Sequence, residues 1–445
     1  MKEDQAEGGE KLLSEIKRKI KEKEVKNVRL EFCNASGVPC AKAWNATHLD
    51  DLLKEGINIF RGNYFMCLGR SLSPHSKFTV DSGDVTLVPD LETFGVLPYV
   101  GGTGRFYGDL FDANTGEPWE CCARSLLKRK LTDLAEKGFL FESAGELEFY
   151  LTRKDPSFKG LGKLYSSSEV PPFSSLGLDL GSAFINNALN NLLSSGLDVS
   201  RIVKEGGPGQ FELNLVHSEG IKPADEIITL RETIKGTAVG ENLHATFMPK
   251  PFVDELGNGM HIHMSLKDSK TKKNLFEAAE GLSTLGLQFA AGILNHGAAL
   301  CAVAAPTVNS YKRLRSGWIA VDEMRLGAED RGAALRIPKA SSSSSGGARL
   351  EYRVPDACSN PYLLMSCLIS AGLDGLEKGL DQSSLKTNLP RSLGEALREF
   401  KQNALFRELM GKTFFEEYTK LKEFELDLYN TQVSEFEIEK YGSAY

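Results

Sequence analysis

The chain has 445 residues, 41% hydrophobic and 25% charged, a globular composition with enough apolar material for a large core and two domains. A formal net charge of −7 argues against the clustered basic surface that a nucleic acid requires, so small substrates fit better. The eight cysteines are scattered, with one adjacent pair at Cys121 and Cys122 and no CxxC, which speaks against a zinc knuckle or a secreted disulfide framework and for a reducing cytoplasm.

The N-terminal stretch MKEDQAEGGEKLLSEIKRKIKEKEV lacks the apolar core of a signal peptide and predicts a charged amphipathic helix over residues 1–24. NVRLEFC followed by GVPCAKAW predicts a strand and hairpin. Short strands punctuated by Gly, Pro and Asp continue to about residue 110, marking a small β-rich domain. From about residue 115 the pattern changes. PWECCARSLLKRKLTDLAEKG has helical spacing, and helices then alternate with strands expected over 139–153, 209–216, 243–249, 260–266 and 348–354, an α+β arrangement. Residues 155–175 and the run Ser341–Ser345 with Gly346 and Gly347 read as loops, the latter beside charged strands where it could cover a nucleotide. The apolar stretch around 285–306 is interrupted by Gln288, Asn295 and His296 and ends at Pro306, which predicts a buried helix and no membrane span. The last forty or so residues form an amphipathic helical tail suited to intramolecular packing or to an oligomer contact.

Four strand-like segments share one pattern, polar groups at i and i+2 with apolar residues between them, which stands the polar groups on one face of a strand. GELEFYL presents Glu146 and Glu148; GPGQFELNL presents Gln210, Glu212 and Asn214; GNGMHIHMSL presents His261, His263 and Ser265; ARLEYRV presents Arg349, Glu351 and Arg353. The intervening Leu147, Phe211, Leu213, Ile262, Leu350 and Tyr352 are expected to pack against helices. A solvated sheet face carries Lys, Thr and Ser freely, whereas these are almost all carboxylate, imidazole and guanidinium. Carboxylates with one or two imidazoles and no thiolate suit a hard divalent ion, Mg²⁺ or Mn²⁺, and interleaved arginines suggest that an anionic substrate meets the metal. EGGPGQ at Glu205 to Gln210 lacks the GK[ST] ending of a P-loop and reads as a tight turn delivering Glu205 and Glu212. A second arginine cluster, Arg331 and Arg336, lies in RGAALRIP.

These motifs resemble the class I glutamine synthetase family. GELEFYL, EGGPGQFE, HATFMPKPF, GNGMHIHMSL, NSYKRL, RGAALRIP, ARLEYRVPD and NPYLLMSCLISAGLDGL occur in the family's order, from about residue 25 to 441. The resemblance implies a helical extension over 1–24, a β-grasp domain over 25–114, and a catalytic domain over 115–445 with an antiparallel sheet backed by helices. It further implies active sites shared between subunits of a dodecamer of two hexameric rings. Carried over position by position, Glu148, Glu205 and Glu212 resemble the ligands of one metal ion, and Glu146, His261 and Glu351 those of the other. Arg313 and Arg353 match arginines that grip the carboxylates of glutamate, and Arg331 one that stabilises the transferring phosphoryl group. Arg336 and Arg349 match nucleotide-phosphate contacts, and Ser265 falls at the adenine site. The implied chemistry is attack of the glutamate γ-carboxylate on ATP, giving γ-glutamyl phosphate that an amine displaces.

Two departures bear on the acceptor. Ammonia-using members carry an aspartate in an FDGSS-like motif that the β-grasp domain lends to the neighbouring subunit; here the stretch is FRGNY, with Arg61. A glutamate that members carry six residues beyond the NSYKR arginine is replaced by Ile319. Leu256 stands where a loop asparagine is usual, Gly346 where a lysine often reaches the ATP phosphates, and no tyrosine follows Asn388 and Leu389 at the position of the regulatory adenylylation site. Two functions follow from the resemblance. One is an ATP-dependent glutamate ligase taking ammonia or another amine. The other is a non-catalytic oligomer similar to lengsin, structural or chaperone-like, with filament proteins as conceivable partners.

Overall fold

The computed structural model describes residues 2–67, 71–154, 161–162, 165, 170–315, 321, 323–339, 347–381 and 388–445. Ile319, Gly346, the serine run and most of 155–169 lie outside these residues. The N-terminal part comprises α1 (Lys2–Glu22), β1 (Asn27–Cys33), β2 (Pro39–Asn45), α2 (Leu49–Glu55), β3 (Ile57–Phe60), β4 (Asp84–Pro89), β5 (Gly95–Val96) and β6 (Thr103–Asp112). Its sheet runs β2-β1-β6-β4-β3, with β5 also on β6. The hairpin β1–β2 is antiparallel as its sequence predicts, while β1 and β6 lie parallel at the centre.

The larger part follows with α3 (Ala123–Glu136), β7 (Phe139–Arg153), α4 (Ser175–Ser194), β8 (Val199–Lys204), β9 (Gln210–Leu215), β10 (Ser218–Glu219) and α5 (Lys222–Gly240). It continues with β11 (Leu243–Thr246), β12 (Met260–Asp268), α6 (Thr284–Asn295), α7 (Gly297–Ala304), α8 (Ser310–Leu314), β13 (Glu323–Ala328), β14 (Ala333–Ile337) and β15 (Leu350–Tyr352). The helices α9 (Pro361–Lys378), α10 (Leu393–Gln402), α11 (Ala404–Asn430) and α12 (Glu435–Tyr441) end the chain. The second sheet runs β13-β14-β15-β12-β7-β9-β8, with β10 and β11 on β7; its pairs are antiparallel apart from the edge pair β13–β14.

The alternation read in the sequence explains how this sheet sits. Leu147, Phe211, Leu213, Ile262, Leu350 and Tyr352 are all buried beneath it, so one face is anchored in the core by apolar area and the other is left to the polar set. Helix α9 begins where Asn360 accepts hydrogen bonds from the amides of Tyr362 and Leu363, with Pro361 at the first turn, and ends at Gly379 in the left-handed region. Helices α3 and α5 are tied to the first sheet by a buried guanidinium: Arg124 of α3 meets Asp225 of α5 at 2.9 Å, Asp109 of β6 at 3.1 Å and Asp90, just beyond β4, at 3.0 Å.

Two sequence expectations change. The stretch 285–306 is two helices, α6 and α7, bent by 74°. His296 sits at the bend with a non-helical backbone, and its side chain is held by Asp374 at 3.0 Å and Asn403 at 2.9 Å. Among the described residues no single helix is long and apolar enough to cross a membrane. The C-terminal tail divides as well. Helix α11 packs Phe406, Phe414, Phe415 and Tyr418 into the core, whereas α12 buries none of its residues.

Candidate active site

The cross-strand register brings the polar face together in three rows. Arg336, Glu351 and His263 lie abreast on β14, β15 and β12; His261, Glu146 and Asn214 on β12, β7 and β9; Glu148 and Glu212 on β7 and β9. Paired residues of adjacent strands share a face and stand about 5 Å apart, so period-2 patterning on separate strands becomes one cluster. Ligand atoms of Glu146, Glu212 and His261 all lie within 4.8 Å of one another, and so do those of Glu146, His263 and Glu351. Glu146 belongs to both triads.

This grouping differs from the one implied by the resemblance. Glu148 turns one oxygen to the Gly259 amide at 2.8 Å and holds the other 4.0 Å from His261 Nε2. His263, which the resemblance did not name as a ligand, groups with Glu146 and Glu351. Its Nε2 is 3.0 Å from Glu146 Oε1 but off the line a hydrogen bond needs, and its Nδ1 accepts from Arg349 Nε at 3.1 Å. The signal was its place two residues beyond His261 on the same strand face.

Glu205 arrives on the turn before β9. The buried Lys204 ammonium donates to the carbonyls of Glu205 and Gly207, and Gln210 accepts from the Gly207 amide at 3.0 Å while donating to Gly257 and Asn258, so two loops are pinned to each other. A Cβ on Gly207 would lie 1.9 Å from the Tyr150 hydroxyl, which admits only glycine. Tyr150 itself donates to the carbonyl of Leu256, fixing the loop where the sequence places leucine for asparagine.

Protonation follows from this crowding. Burial, then repulsion from Glu146, Glu148 and Glu205, pushes the Glu212 carboxyl up to about 9. Burial and Glu148 raise Glu205 to about 7, against the pull of the Gly206 amide, Lys204 and Arg331. Glu146 and Glu351 go the other way. Burial opposes ionisation of both, but the imidazoles outweigh it: His263 and His261 hold Glu146 well below the usual range. With Arg353 they bring Glu351 down to about 2. A set of carboxylates that can ionise together only with added positive charge, lacking thiolates, is a fit for Mg²⁺ or Mn²⁺.

The arginines fall into two groups. Arg336 Nη1 meets Glu351 Oε2 at 2.6 Å and Arg353 takes the other oxygen of Glu351, while Arg353 Nε donates to the Arg331 carbonyl at 3.0 Å. Arg313 donates to the carbonyls of Val354 and Arg353 at 2.8 and 2.9 Å. Arg349 and Ser265 instead line a cavity of about 530 Å³ with Glu142, Arg201, Asn214 and Lys267. Ser265 Oγ donates to Glu142 at 3.4 Å, and Lys267 bridges Glu142 and Glu219. The sequence reading stopped short of Lys267 and Glu142, which continue the polar faces of β12 and β7 at the same even spacing, and Arg201, a charged residue on a strand with no such set, carried no spacing signal. Arg61 lies apart from all of these on the first sheet. It is no free cation, since its guanidinium donates to Asp112 at 2.6 Å and to the Asp84 carbonyl.

Space at the centre is tight. A Cβ on Gly259 would stand 3.0 Å from Arg313 Nη2, 3.0 Å from His261 Nε2 and 3.4 Å from Glu148 Oε1. Gly259→Ala is therefore expected to weaken Mn²⁺ binding about tenfold by displacing those groups. Titration of the variant by calorimetry checks this, and unchanged affinity would show that the site has slack.

A carboxylate–imidazole centre on an antiparallel sheet, ringed by arginines and opening on a polar cavity, has the donor chemistry to hold a divalent metal ion beside an anionic ligand. Residues 120–441 match the family model for the glutamine synthetase catalytic domain. The glutamine synthetase of Pyrococcus abyssi is 33% identical over 449 residues, covering 94% of this chain and 96% of its own. A crystal structure described as a novel glutamine synthase homolog superposes with a TM-score of 0.83 at 27% identity, over 95% of this chain and 99% of that one. A structure described as a GmaS/ADP complex superposes at 0.82 and 27%, over 95% and 97%. The chain belongs to the glutamine synthetase family of ligases.

Proposed function

We propose that this protein is an ATP-dependent glutamate–amine ligase, with glutamate activated as γ-glutamyl phosphate and ammonia or another amine as acceptor. The observation that carries this reading is the convergence of Glu146, Glu212, His261, His263 and Glu351 on one sheet face, where burial and crowding raise the Glu212 carboxyl to about 9 and the neighbouring Glu205 to about 7 without a cation. When bound there, Mg²⁺ or Mn²⁺ would neutralise the carboxylates and the charge on transferring phosphoryl oxygens. The cluster with Glu148 and Glu205 would hold the ions. Arg313 and Arg353 are assigned to the glutamate carboxylates, Arg331 to the reacting phosphoryl group, Arg336 and Arg349 to the nucleotide phosphates, and Ser265 to the base side of the cavity. That a similar chain is described as an ADP complex supports an adenine nucleotide as a ligand. A homo-oligomer, assigned as a dodecamer, fits the family's shared sites.

With Arg61 already paired to Asp112, the FRGNY stretch presents neither the anion that would hold ammonium nor an unpaired cation that would repel it, which favours an amine bulkier than ammonia. Phosphate release by the purified protein with glutamate, ATP and Mg²⁺ should appear with at least one member of an amine panel running from ammonia to polyamines. Silence with every amine, while the protein still gains stability from ATP and Mn²⁺, would instead favour the lengsin-like reading of a binding scaffold.

A further inference from the structure

A second cavity, of about 480 Å³, lies between the β1–β2 turn, α5, β11 and the segment at Ala357 and Cys358. Its volume is that of a small-molecule site. The walls are apolar at Val38, Phe247 and Met248, and they carry four basic groups, Arg231, Lys235, His244 and Lys422, with no carboxylate among the described lining residues.

The balance of charge is what singles it out. Lys235 pairs with Glu232 and Lys422 with Glu425, each at 3.1 Å, both acids standing outside the lining. Arg231, only 3% exposed, donates to the carbonyls of Gly37 and Ala357 and pairs with no carboxylate among the described residues. A guanidinium withdrawn from water without a counter-charge is costly, and here it leaves the cavity with a surplus positive charge. The neighbours register it: burial and then Arg231 lower the Lys235 ammonium, and burial and then Lys235 lower the His244 imidazole. An anion in the cavity relieves all three, and the apolar walls require it to carry a hydrocarbon or aromatic body. We propose that this cavity binds a small monocarboxylate with an apolar tail, separately from the metal cluster and the nucleotide cavity.

The site also has a route to the first one. Asn258, which holds Gln210 beside the Glu205 turn, donates to the carbonyls of Thr246 and Met248 in the cavity wall, so an occupant stiffens a wall that the catalytic loops share.

Hexanoate and 3-phenylpropionate are the probes, with 1-hexanol and hexyltrimethylammonium, which has no N–H to act as an acceptor amine, as neutral and cationic controls, titrated by calorimetry and thermal shift in saturating glutamate and ATP. Saturable binding of the carboxylates alone is expected. Lys235→Met should weaken it by about fivefold or more, and Lys235→Arg should restore it, since one partly buried ion pair is worth about 1 kcal/mol. Lys235 is half-exposed, so its variants keep the fold, and a matching melting temperature verifies this. No saturable carboxylate binding, equal binding of hexyltrimethylammonium, or full affinity in Lys235→Met would each overturn the proposal. None of these outcomes depends on ligase activity, so the two readings fail separately.

Discussion

Glu146→Gln is expected to abolish metal-dependent stabilisation and to lower any ATP-driven phosphate release by a factor on the order of 10³. Glu146 is the carboxylate common to both triads, so one neutral amide removes an anionic oxygen from each. The wild type should gain about 3 kcal/mol at roughly a hundredfold excess of Mn²⁺ over its dissociation constant, by mass action. The variant should gain almost nothing. In chelator it should melt below the wild type, because His261 and His263 lose the carboxylate at 3.4 and 3.0 Å that they hold ionised. A Mn²⁺ thermal-shift titration decides the matter; a wild-type response in the variant would remove Glu146 from the site.

Glu212→Gln is expected to have the opposite effect on the metal-free protein, raising its stability by up to about 3 kcal/mol at pH 7 while still costing metal affinity. The Glu212 carboxyl, raised from 4.5 to about 9 first by burial and then by its carboxylate neighbours, keeps a proton in the folded state that the unfolded chain has released. Stability therefore falls as pH rises from 4.5 toward 9, and Glu205, raised to about 7, steepens the lower half of that window. Glu351 works in the other sense. Lowered to about 2, it contributes fully above 4.5 and its contribution is lost as pH falls toward 2. Chelated protein should thus be most stable near pH 5, about where these windows meet. Saturating Mn²⁺ should flatten the alkaline slope and release protons on binding, which calorimetry in two buffers of different ionisation enthalpy detects. If chelated Glu212→Gln melts no higher than wild type at pH 8, the carboxylates are not crowded as the structure has them.

Most elements that carry the site were legible because their signals are local. Period-2 alternation in GELEFYL, QFELNL and MHIHMSL yields strands whose polar residues share a face, and β7, β9 and β12 follow these segments closely. The helix predicted over 285–306 illustrates the limit. Its apolar content was read correctly as buried, but the 74° bend falls at His296, whose side chain meets Asp374 and Asn403 from far along the chain.

The amino-acid order alone determined which side chains face the same way on each strand, which strands carry carboxylate and imidazole, and that no cysteine stands among those polar positions, because side-chain direction follows from backbone period and ligand preference from atom type. The tertiary structure decided the rest: that Glu146 is shared by the two triads, that His263 stands beside Glu146 and Glu351, that Arg61 is paired with Asp112, and which carboxylates keep their protons. Those properties are set by strand register and by burial. Both arise from contacts between segments tens to hundreds of residues apart, which the spacing along one segment does not encode.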